Sequence, residues 1–336
     1  MTVRRGPALV ALALALALAG CGHASNASAP PDAPAPSATS PASEAPVTVT
    51  NCGFEVTVPS RPERIVTIKS STTELALALG LAERVVAAAF LDGPIDDSLA
   101  AHAHDLTILT DGLPSAEAVL ELDPDLVYAG WESNLTAEGA GDRATLASLG
   151  IASYVPPAAC RENAPPPVMS FELLFEQILE TGHVLGAPQA AEALVAEQRA
   201  RLEALVPDER GLSALWYSSG TQTPYVGAGT GVPQMILEAA GLANVADDVA
   251  DSWASISWEE IVARDPDVIV LVDSDWNSAE KKIGVLREHP ATRELDAVRD
   301  ERFLVVPFAA SEAGVRNVAA VESLVAQLAE IEVDRA

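Results

Sequence analysis

The sequence predicts an α/β protein with two Rossmann-like lobes joined by a long, rigid helix. Short β-branched strands alternate with helical segments, which is typical of parallel pairing in an open sheet. The alternation occurs twice along 336 residues, a length that suits two lobes. Between the two series, residues 171–206 keep the apolar spacing of a helix, interrupted once at Gly186-Ala187-Pro188. A helical link of this kind indicates a stiff hinge with small domain motion.

Residues 47–170 are the predicted first lobe. Its strands are short apolar and β-branched runs that each precede a turn or a helical segment. The helical pattern Thr73–Leu81 directly follows the first run, as expected for a crossover between parallel strands. The predicted strands are Arg64–Lys69, Val85–Phe90, Leu126–Ala129 and Gly150–Val155.

Residues 207–336 are the predicted second lobe, in which the same alternation returns. Its predicted strands are Leu212–Tyr217, Val268–Val272 and Arg302–Pro307, and its predicted helices are Pro233–Gly241 and Val315–Ile331. An internal echo relates the lobes, because AEAVLELDPDLV (116–127) parallels EEIVARDPDVI (259–269). In each, a proline stops a helix and a buried strand follows. Two homologous lobes explain the echo; chance similarity of two junctions is the alternative.

The amino terminus carries an export signal. In residues 1–20, Arg4 and Arg5 precede an uncharged apolar run, Ala8–Ala19. This is the pattern of a signal peptide that is removed, and the run is short for a membrane-spanning helix. Leu18-Ala19-Gly20-Cys21 resembles the lipobox of bacterial lipoproteins, in which the thiol of Cys21 is acylated. An ordinary secretory signal with an accidental cysteine is the alternative.

Residues 21–46 are almost entirely Ala, Pro and Ser. This composition has too little apolar surface to pack, and it predicts a disordered tether. About 25 such residues reach on the order of 25–30 Å. We therefore expect the folded lobes to lie at the extracytoplasmic face of the cell membrane, held there by a lipid anchor.

The charge balance excludes one class of partner. With 20 Lys+Arg against 48 Asp+Glu, the net charge is -28, which repels a phosphate backbone and excludes general nucleic-acid binding. Motifs for hydrolases, zinc proteases, redox dithiols and nucleotide binding do not occur in the sequence. Histidines and carboxylates do not converge in a metal-binding pattern. We expect no enzyme activity, no catalytic residues, no metal and no cofactor.

Cys52 and Cys160 remain once Cys21 is lipidated, and both fall in the predicted first lobe. An extracytoplasmic location favours a disulfide between them. Two buried thiols are the alternative.

Several of these features together resemble a known family. They are the lipobox, the repeated Asp-Pro-Asp, the linking helix and the segments Arg61–Val66 and Glu74–Leu81. Over roughly residues 47–330 the chain resembles the substrate-binding proteins of ABC importers for cobalamin, haem and iron–siderophore complexes. The resemblance implies a periplasmic-binding-protein fold and a small-molecule ligand held between the lobes. It also implies docking onto an ABC permease and its ATPase, and we expect a monomer.

A narrower resemblance concerns the ligand. The stretches Val127–Asn134, Leu215–Gly229 and Val306–Asn317 resemble an actinobacterial subgroup proposed to import the glutamate-free precursor of the deazaflavin coenzyme F-420. This implies an anionic ligand with a planar ring. A ferric siderophore, cobalamin or haem is the alternative, haem taking Tyr217 or Tyr225 as its axial ligand. An extracytoplasmic enzyme on the same scaffold is a more distant alternative.

Candidate binding residues follow from the predicted strands, because ligands of open α/β sheets bind beyond the carboxyl ends of the strands. Trp131 and Trp276 follow strand ends in opposite lobes, which favours stacking on a flat ring; packing under loops is the alternative. Lys69, Arg161 and Arg316 are candidates for an anionic group, and solvated surface charge is the alternative. The full set is Lys69, Ser70, Ser71, Thr72, Trp131, Glu132, Asn134, Arg161, Tyr217, Ser218, Thr221, Trp253, Trp276, Asn277 and Arg316, with Phe90–Asp92, Asp273–Asn277 and Phe308–Glu312 completing the strand-end segments.

Glu74 has two compatible interpretations. Ser71-x-x-Glu74 fits a capping box, in which Glu74 reaches back to the amide of Ser71. In the resembled family the equivalent acid contacts the permease, and we expect an exposed side chain in the first turn of the helix. Glu238 is the second candidate for docking. It lies three residues before Gly241, whereas Glu74 lies six before Gly80. The position six before Gly241 is Met235, which shares a helix face with Glu238, so we expect Glu238 to present to the same surface.

Overall fold

The computed structural model describes residues 45–59, 61–161 and 167–333. The predicted signal peptide, Cys21 and nearly all of the predicted tether lie outside these residues. In the described part of the chain, no helix is both long enough and apolar enough to cross a membrane.

The first lobe is built on a five-stranded sheet whose strands all run parallel. An antiparallel hairpin of β1 (Val47–Asn51) and β2 (Phe54–Val58) precedes it. The sheet order is β5-β4-β3-β6-β7, with the wholly buried β3 at its centre. Its strands are β3 (Ile65–Ile68), β4 (Val85–Ala89), β5 (Ile108–Thr110), β6 (Leu126–Ala129) and β7 (Ala152–Tyr154), and its helices are α1 (Ser70–Ala78), α2 (Ala100–Ala103), α3 (Ala116–Leu120) and α4 (Arg143–Ser148).

Two helices, rather than one long helix, occupy the predicted link. They are α5 (Phe171–Val184) and α6 (Pro188–Ala204). Arg199 near the end of α6 donates to Glu172 at the start of α5, at 2.9 Å. A Cβ atom on Gly182 would lie 2.3 Å from the Cβ of Ala191. These contacts show that α5 and α6 pack antiparallel as a helical hairpin, so the prediction of a single linking helix was wrong.

The second lobe has a mixed sheet of order β11-β9-β8-β12-β13, with β10 paired to β8. Strands β8, β10, β12 and β13 run parallel, whereas β9 and β11 run antiparallel to their neighbours. The strands are β8 (Ser213–Ser219), β9 (Tyr225–Gly227), β10 (Ala243–Asn244), β11 (Trp253–Ser255), β12 (Val268–Asp273) and β13 (Phe303–Pro307), and the helices are α7 (Val232–Ala240), α8 (Trp258–Arg264), α9 (Ala279–Glu288), α10 (Asp296–Arg299) and α11 (Asn317–Ala329).

The repeated Asp-Pro-Asp motif forms the same helix-to-strand junction in both lobes. Asp123 and Asp265 each have a left-handed backbone, with φ of 47° and 44°, directly before the proline. The second aspartate of each motif then binds the start of the neighbouring strand. Asp125 accepts from the amides of Glu63 and Arg64 at 2.7 and 3.1 Å, and Asp267 accepts from the amide and hydroxyl of Ser213, both at 2.8 Å.

The predicted fold class, an α/β protein with two parallel-sheet lobes, is confirmed. The largest apolar cluster contains side chains from both lobes and from α5 and α6, such as Tyr128, Leu174 and Trp216. Two smaller clusters belong to one lobe each. The cores therefore support the carboxyl ends of two sets of strands, and the candidate site lies there.

Candidate functional site

A cavity of about 420 Å³ is lined by residues that follow the strands of both lobes. This volume lies in the range of small-molecule sites. Seven predicted binding residues line it: Ser71, Trp131, Glu132, Arg161, Ser218, Trp253 and Trp276. The strand-end rule therefore predicted residues that line this cavity, and their contact with a ligand stays a prediction.

Aromatic side chains dominate the cavity walls. Phe308 lies between the two tryptophans that strand ends predicted, with ring centroids 6.3 Å from Trp131 and 5.4 Å from Trp276, both edge-on. Tyr225 stacks on Trp253 at 5.8 Å with 14° between the ring planes. Trp276 is 53% exposed, so one of its faces is open to a ligand. This arrangement suits a ligand with large apolar or ring surfaces.

Several lining residues were missed by sequence reasoning. Phe308 and Glu312 fell inside a predicted strand-end segment but were not singled out, although Phe308 follows β13 directly. Ser252 lies beside the antiparallel strand β11, which was not predicted, whereas Tyr225 on β9 was named from sequence only as a possible axial ligand for haem. Met169 lies just before α5. Only the first two carried a sequence signal, their position after a strand.

Lys69 does not line the cavity. It is 1% exposed and forms an ion pair with Asp92. Its ammonium lies 3.9 Å from the ring centroid of Trp131 and 4.2 Å from that of Phe90. Burial raises the pKa of Asp92, although the adjacent Lys69 opposes this. The prediction that Lys69 binds an anionic group is wrong in this structure, because Asp92 neutralises it behind the wall formed by Trp131.

Arg316 does not line the cavity either. Its Nε donates to Glu74 at 2.6 Å and its Nη2 contacts the other oxygen of the same carboxylate. Nη2 also donates to the carbonyl of Pro94 at 2.8 Å, and Asp96 lies 4.0 Å from Nε. Arg316 therefore joins the second lobe to the first by a bidentate ion pair instead of facing a ligand.

Glu74 corrects two predictions. It is 0% exposed, so the expectation of an exposed acid on α1 is wrong. The N-cap of α1 is Lys69 and no side chain caps the helix, so the predicted capping box with Ser71 is absent. The carboxylate instead accepts from Arg316 and from the amide of Asp96 at 3.1 Å. By contrast Glu238 on α7 is exposed and accepts from Gln234 at 2.6 Å.

The remaining candidates are not among the residues that line the cavity, and they bond to the protein itself. Asn134 accepts from the amide of Trp131 at 3.0 Å, and Asn277 donates to the carbonyl of Ser218 at 3.4 Å, so both position lining residues. The others bond to backbone: Ser70 Oγ accepts from the amide of Asp92, Thr72 donates to Ile68, Tyr217 donates to Gly220, and the carbonyl of Thr221 accepts from Trp258. Direct ligand contact by these residues is not supported by the geometry.

Charged groups on the cavity wall are few. Arg161 lies 3.5 Å from Asp251, and its amide donates to Glu132 at 2.6 Å. Burial raises the pKa of Glu312 to about 7, with a further contribution from the charge of Asp92. Lys69, a hydrogen bond with Trp131 and Arg161 oppose that increase. Glu312 therefore changes charge near neutral pH.

Cys52 and Cys160 form a disulfide, with Cα atoms 5.1 Å apart. The bridge ties the β1–β2 turn to the segment that presents Arg161. Among the described residues, no group of three or more His, Cys, Asp or Glu side chains is placed to hold a metal ion.

Two α/β lobes with an aromatic cleft at the carboxyl ends of their strands define a ligand-binding protein of the two-lobed, solute-capturing class. The family model described as periplasmic binding protein matches residues 65–310, and the chain belongs to this family. These proteins bind substrates and are not enzymes, which confirms that prediction.

Named relatives extend the comparison. The chain is 32% identical over 243 residues to a cobalamin-binding protein of Halobacterium salinarum, a match covering 65% of this chain and 59% of that protein. It is 26% identical to an ABC transporter substrate-binding lipoprotein of Bacillus subtilis, covering 88% and 89% of the two chains. It is also similar to an ABC-type Fe³⁺-hydroxamate transport protein of Saccharomonospora viridis, with 27% identity, coverage of 84% and 99%, and a TM-score of 0.71.

Proposed function

We propose that this protein captures a bulky ring-bearing or metal-chelate ligand outside the cytoplasm and delivers it to an ABC permease and its ATPase. The observation that carries the proposal is the cleft in which Trp131 of the first lobe and Trp276 and Trp253 of the second line one cavity. Cobalamin and ferric siderophores present the large apolar and ring surfaces that such walls bind.

The relatives support this ligand class. Cobalamin is the ligand in the name of the Halobacterium protein, and Fe³⁺-hydroxamate in that of the Saccharomonospora protein. Haem is a further candidate ligand, because Tyr225 and Met169 line the cavity and both residue types ligate haem iron in other proteins. Tyr217 cannot serve as an axial ligand without losing its hydrogen bond to Gly220.

A deazaflavin precursor is the second candidate ligand. The observation that favours it is the combination of Trp131 and Trp276 with the hydroxyls of Ser218 and Ser219 and the guanidinium of Arg161. A planar ring, a polyol chain and one negative charge match these three features in turn. Two other cations expected from sequence to hold the anionic group, Lys69 and Arg316, are both paired with carboxylates.

Location and assembly are part of the proposal. The lipoprotein named among the relatives supports an extracytoplasmic position, and acylation of Cys21 would supply the anchor. We propose a monomer in which Glu238 faces the permease.

Direct titration tests the ligand class. Cobalamin, a ferric trihydroxamate, haem and the deazaflavin phosphodiester are added separately to purified protein, and tryptophan fluorescence is recorded. Quenching should be partial, because Trp131, Trp253 and Trp276 line the cavity whereas Trp216 and Trp258 are buried outside it. We expect one of the first three ligands to bind tightly; tight binding of the deazaflavin alone would replace the main proposal with the second candidate.

The Trp276→Ala variant tests the site itself. Because Trp276 is half exposed, its removal should leave the fold intact while affinity falls roughly tenfold. Phe54→Ala is the matched control, an exposed aromatic outside the cavity. Equal affinities for Trp276→Ala and the wild type would place the ligand elsewhere.

A further inference from the structure

The walls of the cleft are acidic. Among the described residues that line it, Arg161 is cationic, whereas Glu132 and Glu312 are acids. Arg161 already faces Asp251, and its amide is held by the carboxylate of Glu132. When Glu312 is ionised, negative charge is therefore in excess around the cavity.

The aromatic side chains of the lining also attract a positively charged group. The faces of Trp131, Trp276 and Phe308 carry the negative end of the ring quadrupole, and indole is the strongest of the side-chain rings in attracting a cation. Inside a partly dehydrated cleft this attraction adds to that of the carboxylates. The structure shows this effect at the same rings, since the ammonium of the buried Lys69 lies 3.9 Å from the ring centroid of Trp131 and 5.1 Å from that of Phe308.

Glu312 is a carboxylate on the cavity wall that also contains the aromatic rings. It follows the turn after β13 in the second lobe and lines the same cavity as Trp131 of the first lobe. The charged groups that act on it are Asp92, Lys69 and Arg161, and the first two neutralise each other as an ion pair. The carboxylate thus lies on the wall of the cavity that also contains the ring most suited to a cation.

We infer that Glu312 determines the charge class of the ligand, and that the cleft prefers a ligand bearing an ammonium or similar cationic group to a neutral or anionic counterpart of the same shape. The inference rests on the proposed function. It narrows that function to cation-bearing members of the chelate class and opposes the anionic deazaflavin.

The pH dependence of binding has a defined sign. The pKa of Glu312 is raised to about 7. A cationic group binds the ionised carboxylate, so affinity should increase by up to about tenfold from about pH 6 to about pH 8. An anionic ligand would bind more tightly as the pH falls, because protonation removes the repelling charge.

A matched pair of probes tests the inference. One is a linear ferric trihydroxamate that ends in a primary ammonium, and the other is the same chelate with that amine acetylated. Affinities are measured by tryptophan fluorescence at both pH values. We expect the ammonium chelate to bind about tenfold more tightly than the acetylated one at about pH 8, and by a smaller factor at about pH 6.

The Glu312→Gln variant should remove both the preference and its pH dependence. Glutamine keeps the size of the side chain, so the cavity retains its shape. Glu259→Gln is the control, an exposed acid of the same lobe outside the lining, and it should behave as the wild type. Loss of pH dependence in Glu312→Gln alone separates Glu312 from Asp92 and the other charges nearby.

The outcomes separate the inference from the function. Equal affinities for the two chelates, or an unchanged preference in Glu312→Gln, would overturn the inference and leave the proposed function standing. Preferential binding of cobalamin or haem over both chelates would do the same. Failure of all these compounds to bind would overturn the proposed function itself.

Discussion

The two lobes share the Asp-Pro-Asp junction between a helix and a strand, but they differ in the burial of one acid, Glu74 on α1 and Glu238 on α7. Asp125 and Asp267 bind the neighbouring strand in equivalent ways, so the sheets are assembled by one rule. On α1, however, Glu74 is buried and paired with Arg316 of the other lobe, whereas Glu238 on α7 is exposed. Helices at similar places in the two lobes thus place their acids differently: Glu74 pairs with the other lobe, and Glu238 is exposed to solvent.

Breaking the ion pair between the lobes should have the largest effect. Glu74→Ala leaves Arg316 largely buried without its main partner, which costs about 3 kcal/mol of unfolding free energy. The lower end of the usual range is expected because Arg316 keeps the Pro94 carbonyl and is near Asp96. Urea unfolding measures this value.

A double-mutant cycle identifies the cause. Arg316→Ala alone should also destabilise, and the Glu74→Ala/Arg316→Ala protein should be more stable than the sum of the single losses predicts. Glu238→Ala is the matched control and should change stability by less than about 0.5 kcal/mol. A loss below about 1 kcal/mol for Glu74→Ala would mean that the pair does not hold the lobes together.

The sequence revealed the site better than it revealed the contacts behind it. Trp131 and Trp276 were found because a residue after a buried strand must lie at the binding edge of the sheet. The pairing of Lys69 with Asp92 depends on how the ends of β3 and β4 meet, and that of Glu74 with Arg316 joins residues 242 apart in the chain. Neither pairing leaves a local pattern, so three charged residues were expected at the surface or in the cleft.

Strand prediction failed where burial was partial. Central strands such as β3 and β12 are buried along nearly their whole length and read as continuous apolar runs. The hairpin strand β1 does alternate with a period of two, so its signal was present and was overlooked. Strands β5, β9, β10 and β11 have only two or three residues each, too few for a periodic signal. The linking helices were correctly expected to be helical, but their antiparallel packing depends on Gly182 meeting Ala191.

The shared Asp-Pro-Asp junction predicts equal, intermediate losses of unfolding free energy in the two lobes. Asp125→Asn and Asp267→Asn each replace a carboxylate that accepts two hydrogen bonds, and each should cost about 1–2 kcal/mol in urea unfolding. Asp123→Asn and Asp265→Asn are the controls, because these exposed residues are left-handed and asparagine tolerates that conformation. A large loss of unfolding free energy in one lobe with none in the other would show that the repeated Asp-Pro-Asp motif does not have the same structural role in both lobes.

The exposed acid of the second lobe predicts the smallest effect on the protein alone and a selective effect on transport. Glu238→Gln removes one charge and keeps the size of the side chain. Ligand affinity and unfolding free energy should stay unchanged, because Glu238 lies outside the cavity and its exposed side chain bonds to Gln234, one turn earlier in the same helix. Stimulation of the permease ATPase in proteoliposomes should fall roughly two- to fivefold, and more at low salt, as expected for a solvent-exposed ion pair at an interface. Glu197→Gln on the exposed face of α6 controls for a general loss of negative charge. Undiminished stimulation at low salt would move the docking surface away from α7, and since Glu74 is committed to Arg316, the permease would then have to bind other groups of the second lobe or open the ion pair between the lobes.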